Sequence, residues 1–175
     1  MTTAIHNVFS NDHKLTTSLP NLVTPSVSFI DNELFDSCFS LDKTEMDGLC
    51  IMNSFRKSHE SQLGSPLSMS DITCSMIDEV YKRSDDYIVH FDNNFMSLSS
   101  QMSDYFENGN YRSNFGDIVP VIISRAFDCK LNIVHLDSLK HGKLRVSNIV
   151  NPLLHNPSEI YIVKNGAHYD ALKPL

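Results

Sequence analysis

The sequence predicts an α+β domain. From Cys50 to Phe127 the apolar residues recur at three- and four-residue steps, the spacing of helix faces buried on one side. From Leu131 onward they gather into short β-branched runs, and turn signals such as "HGK" and Asn165-Gly166 separate those runs. Helices first and an antiparallel-looking sheet later is the segregated class, not the alternating one.

Residues 1–40 are rich in Ser, Thr, Asn and Asp. They read as a variable, partly ordered N-terminal segment, within which "VSFIDNELFDSCF" is able to dock as a short element. Ile51, Met52 and Phe55 after Cys50 fit a helix of about three turns, with Arg56 and Lys57 toward its end, where cations suit the dipole. "LGSPLSMS" is a loop. Ser70 is a candidate N-cap for a helix with Ile72, Met76, Ile77, Val80 and Tyr81 on one face, opened by Asp71 and closed by Lys82 and Arg83. Phe95, Leu98, Met102, Tyr105 and Phe106 mark another amphipathic helix, broken by "ENGNYRSNFGD". Asp117 can cap a fourth helix through "IVPVIISRAF", with Pro120 in its first turn. "LNIVHL", "KLRVSNI", "EIYIVK" and "AHYDALK" then read as strands, the last two joined by a tight hairpin at Asn165-Gly166.

One domain suffices for 175 residues. A formal charge of −7 argues against nucleic acid as a partner, since a phosphate binder needs a basic face. No stretch approaches the roughly 18 apolar residues of a membrane span. The opening "MTTAIHNVFSNDHKL" lacks the pattern of a secretory signal, so reduced thiols in a cytosol-like compartment are expected. Cys38, Cys50, Cys74 and Cys129 contain no CxxC pair, against both a zinc ribbon and a disulfide framework, and three of them are expected to act as small buried hydrophobes.

The informative cysteine is Cys50. Asp47 and Gly48 precede it, and a helix follows. A helix N-terminus and a nearby imidazolium both favour a thiolate, and a glycine lets the backbone turn so that N–H groups face an oxyanion. His168 and Asp170 sit two apart on a strand, on one face and about 6–7 Å apart at the backbone, within reach of a carboxylate–imidazole bond. Tyr169 between them points to the other face. Cys50, His168 and Asp170 are therefore candidates for nucleophile, base and orienting acid. Each piece also has a plain structural reading: a core cysteine, a surface histidine, a simple hydrogen-bonded pair.

Three blocks carry a resemblance. "MDGLC" with its apolar helix resembles the D-G-x-C nucleophile box of the ovarian-tumour (OTU) family of cysteine proteases. "NFGDIVPVIISRAFDCKLNIVHL" is similar to that family's middle block, and "EIYIVKNGAHYDALKPL" to its closing strand pair. They follow in family order across about residues 45–175, and the compact length and "HYDAL" ending look most like OTU domains of viruses, with bacterial or transposon relatives also fitting.

The resemblance implies an OTU-like catalytic domain over residues 41–175, with a central, mostly antiparallel sheet flanked by helices. It implies a deubiquitinase, Cys50 as nucleophile, His168 as base, Asp170 as acid, and Asp47, Gly48 and Leu49 as the loop shaping the oxyanion hole. No cofactor or metal is called for. The implied partners are ubiquitin or its chains, and ubiquitin-like modifiers, met by a monomer in the cytoplasm, a host's cytoplasm for a viral or effector protein. Two departures stand out: Leu49 where the family often has Asn, and Phe115 where it often has Trp. An inactive ubiquitin-binding module and a polyprotein-processing protease are the competing readings.

Overall fold

The computed structural model describes residues 26–175. β1 (Ser26–Asp31), α1 (Asn32–Cys38) and β2 (Phe39–Asp42) come first. The helical part follows as α2 (Cys50–Leu63), α3 (Met69–Lys82), α4 (Ser84–Tyr87), a 3-10 turn (Ile88–Phe91), α5 (Phe95–Asn108) and α6 (Asn114–Ala126). β3 (Cys129–Lys140), β4 (Lys143–Ile149), β5 (Ser158–Asn165) and β6 (His168–Pro174) end the chain. The class is α+β, and the described residues form a six-stranded sheet in the order β1-β4-β3-β5-β6-β2. Neighbours are antiparallel except β3 and β5. The β3–β4 hairpin sends the chain outward, so it must cross back over β3 and re-enters the sheet parallel to it.

Each face of the sheet buries an apolar layer. The larger core joins Leu131, Ile133, Ile160 and Ile162 of the strands to the inward faces of α2, α3, α5 and α6. On the opposite face, Phe35 of α1 packs with Val134, Val146, Val163 and Leu172. "VSFIDNELFDSCF" is thus not one element but a strand, a helix and the start of a second strand, with Asp31 capping the helix through the amides of Glu33 and Leu34.

Helix α2 is stitched into the sheet where β5 and β6 part. Their ladder covers Ile162–Asn165 against His168–Ala171. One step beyond it, Leu172 donates its N–H to Ser58 Oγ at 2.9 Å, and its carbonyl accepts from Ser61 Oγ and Gln62 Nε2 at 3.0 and 2.9 Å. Gln62 also donates to the Tyr161 carbonyl at 2.7 Å and accepts the Tyr161 N–H at 2.8 Å. The side chains of α2 thereby take the place of missing sheet bonds. They fix the helix that begins at Cys50 against the strand that begins at His168.

Several local expectations are corrected. α2 runs four turns to Gly64, a left-handed C-cap, which leaves Arg56 and Lys57 in mid-helix. Lys57 reaches sideways to Asp42 at 3.0 Å instead of serving the helix end. Ser68, not Ser70, caps α3, because Ser68 and Asp71 form a reciprocal capping box. Ser113, not Asp117, caps α6, which starts at Asn114 and puts Pro120 in its interior. The helix continues through this proline because Ile118–Arg125 are all buried, so packing overrides the local penalty. Tyr81 is exposed although the spacing puts it on the apolar face; its ring lies tilted against Phe95, centroids 5.9 Å apart, instead. Of the three other cysteines only Cys129 is buried; Cys38 and Cys74 are exposed at or on helices whose apolar faces point elsewhere.

Candidate functional site

Cys50 is the first residue of α2, and its side chain is 8% exposed. Burial pushes its thiol pKa up, the backbone N–H of Tyr169 pulls it down, and the Asp47 carboxylate pushes it up again. The amides of Ile51 and Cys50 itself also favour the thiolate, as expected of the unpaired donors at a helix start. The balance is upward. Burial outweighs the donors that favour the thiolate.

The Tyr169 amide that meets the thiol belongs to β6, between His168 and Asp170. His168 Nε2 lies 3.0 Å from Asp170 Oδ1. The strand spacing delivers this pair as the sequence predicts, and the ring uses Nε2 toward the acid, so Nδ1 is the nitrogen left for other work. Asp170 Oδ1 is held from behind by the Thr44 N–H at 2.8 Å, while Thr44 Oγ1 donates to the Tyr169 carbonyl. Thr44 carried no signal in the sequence, because it lies in a loop and its partner is 126 residues away.

Asp47 forms the turn ahead of Cys50. Its Oδ1 accepts the Leu49 N–H at 2.9 Å, and its Oδ2 accepts from Asn53 Nδ2 at 3.3 Å. Gly48 in between is left-handed, with φ +79°. The Leu49 amide is thus taken up by Asp47 rather than turned toward the thiol, and the Leu49 side chain packs on the main core. Phe115 fills its place in the middle block fully buried, with ring centroids 5.4 Å from Tyr105 and 5.8 Å from Phe106.

A cavity of about 450 Å³ opens beside the thiol. Cys50, Gly48 and Tyr169 line it together with Tyr111, Asp117 and Lys164. Lys164 pairs across the hairpin with Tyr169, and its ammonium lies 5.5 Å from that ring. Among the described residues no group of three or more His, Cys, Asp or Glu side chains converges as metal ligands would. The arrangement offers a buried thiol, an acid-held imidazole on the adjoining strand and a glycine turn, the parts of acyl transfer through sulfur.

No family model matches the chain, and no curated protein matches it in sequence. Solved structures do match. The viral OTU domain protease of Dera Ghazi Khan virus superposes with a TM-score of 0.58 at 15% identity, over 87% of this chain and 90% of that one. An OTU deubiquitinase of Wolbachia pipientis wMel bound to ubiquitin gives 0.57 at 17% identity, covering 79% and 97%. The chain has an OTU-like fold. The Hazara virus OTU, also solved with ubiquitin, gives 0.55 at 14% identity over 90% and 93% of the two chains. The OTU-like match spans most of the length on both sides.

Proposed function

We propose that this chain is a cysteine-type deubiquitinase that cleaves the isopeptide bond after the C-terminal Gly-Gly of ubiquitin or a ubiquitin-like protein. The observation that carries the reading is the shared cavity lined by Cys50 and Tyr169, the residue between His168 and Asp170 on β6, within an OTU-like fold. Ubiquitin is proposed as the partner because two of the matching OTU structures are complexes with it. The chain's net charge of −7 gives the basic tail of ubiquitin a favourable surface.

In this mechanism His168 accepts the thiol proton as Cys50 sulfur attacks the scissile carbonyl. Asp170 holds the imidazole and stabilises its cation. The carbonyl oxygen becomes an oxyanion and is met by amide donors of the Asp47–Cys50 turn. The proton passes from His168 to the departing lysine amine as the C–N bond breaks, leaving a thioester. Water, deprotonated by His168, then attacks the thioester and restores the thiol.

Turnover of a fluorogenic ubiquitin substrate tests the proposal. The wild-type chain should release the fluorophore and Cys50→Ser should not. A folded chain that binds ubiquitin without turnover would be the inactive module, and one that cleaves only its own polyprotein sites would be the processing protease.

A further inference from the structure

Two helices of this chain end in the same way in different surroundings. Gly64 closes α2 and Gly109 closes α5, with φ of 69° and 66°. Each donates its N–H to the carbonyl four residues back, Glu60 at 2.8 Å and Tyr105 at 3.0 Å. A Cβ on Gly64 would meet nothing within 4 Å. A Cβ on Gly109 would overlap the Asp47 carbonyl oxygen and lie 3.4 Å from Gly48 Cα. The contact is mutual: a Cβ on Gly48 would overlap the Gly109 carbonyl oxygen and lie 2.8 Å from its carbon. Two left-handed glycines thus cross backbone to backbone, and one of them belongs to the turn ahead of Cys50.

The loop after Gly109 is itself anchored. Asp104 accepts from Asn108 Nδ2 at 2.7 Å and from Asn110 Nδ2 at 2.6 Å. Farther on, Tyr111 presses on the first turn of α6, where a Cβ on Gly116 would lie 2.6 Å from the Tyr111 carbonyl carbon. The segment is therefore held between the Asp47–Gly48 turn and α6. The turn needs such a brace, since its own side-chain bonding consists of Asp47 to Leu49 and to Asn53, on an exposed carboxylate.

We propose that Gly109 is a positioning residue for the reaction. From the end of α5 it holds the Asp47–Gly48 turn at the depth where its amide donors meet the oxyanion. This rests on the reading of Cys50 as the nucleophile. A methyl group at Gly109 forces the turn outward by about 1 Å, and a displacement of that size costs roughly 10²-fold in rate.

Gly64→Ala is the matched control, because it shares the left-handed strain and lacks the contact. With the ubiquitin substrate, Gly109→Ala should lower kcat about 10²-fold while KM stays within about threefold of wild type. Gly64→Ala should leave both within about threefold of wild type. Iodoacetamide alkylation, mapped to Cys50, should stay within about threefold in both variants, since it needs the thiol and not the oxyanion donors. Hydrogen exchange at the Gly48–Cys50 amides should quicken in Gly109→Ala alone. Equal loss of kcat in the two variants, or Cys50 alkylation falling in step with kcat, overturns the assignment. Should Gly109→Ala fail to fold, Asp104→Ala loosens the same loop from the surface. It should lower kcat roughly 3–10-fold, a fraction of the full misplacement effect, and quicken the same amides; wild-type kcat and exchange in that variant overturn the assignment. The exchange measurement needs no substrate, so a wild-type chain inert toward ubiquitin would remove the deubiquitinase reading and leave the brace to be judged by exchange.

Discussion

At the scale of single residues, Asp47 poses the sharpest conflict. Its carboxylate raises the pKa of the neighbouring thiol, which disfavours the thiolate, yet it also binds the Leu49 amide and Asn53. If the scaffold role dominates, Asp47→Ala slows turnover of a ubiquitin substrate by roughly 10²–10³-fold, the effect of a disordered oxyanion hole. Alkylation of Cys50 in the same variant should hold or rise, because the repelling charge is gone. A wild-type turnover rate would return Asp47 to an ordinary loop acid. The thiol itself makes a pH prediction. Its pKa is raised, so the reactive thiolate is scarce at neutral pH and grows as pH rises. Iodoacetamide labelling mapped to Cys50 should titrate with a midpoint above that of an ordinary cysteine, and a midpoint below neutrality would contradict the geometry. Between the partners, His168→Ala should cost more than Asp170→Asn. An amide oxygen at position 170 can still accept from Nε2, whereas no other group replaces the base. Equal abolition in two folded variants, by steady-state assay, would count against these roles. The place of Cys50 at a helix start and the His168–Asp170 bond were legible because a glycine before a helix start and an H-x-D strand pattern are local. Thr44 and Gly109 were not, since each acts on a partner distant in sequence.

At the scale of elements, the joint between α2 and the closing strands sets the site. Gln62 bonds both Tyr161 and Leu172, so one side chain spans the gap between β5 and β6. Gln62→Ala should destabilise the fold by about 1–3 kcal/mol, the cost of partly buried backbone groups left without partners. Chemical denaturation with an unchanged m-value would measure it, and a loss below about 0.5 kcal/mol, within the range of ordinary surface substitutions, would contradict the bridge. The sequence located every long helix and the last four strands, because their apolar periods are strong. It missed the caps at Ser68 and Ser113 by two to four residues, since Ser70 and Asp117 have equally suitable side chains and only the backbone path distinguishes them. α4 and the 3-10 turn escaped notice for a different reason. They are held by tertiary contacts, among them Arg125, whose guanidinium lies 2.9 Å from Glu79 and 3.2 Å from Asp86 and over the Tyr87 ring.

At the scale of the whole molecule, the sheet order could not be read from the chain. β1 and β2 close opposite edges although only α1 separates them, and the pairing that puts them there is with β4 and β6, more than 100 residues on. Strand pairing of that kind leaves no local pattern. The OTU-like architecture nevertheless followed from three ordered blocks, and it brings the first block and the last together at one cavity. The central claim is that this assembly is a ubiquitin-directed cysteine protease acting through Cys50. Reaction with full-length ubiquitin bearing a C-terminal electrophile tests it most directly, because the adduct requires the fold, the thiol and ubiquitin recognition together. The account predicts a single one-to-one adduct, mapped to Cys50 and absent from Cys50→Ser. No adduct from the folded chain, or one carried by the exposed Cys38 or Cys74, would contradict it.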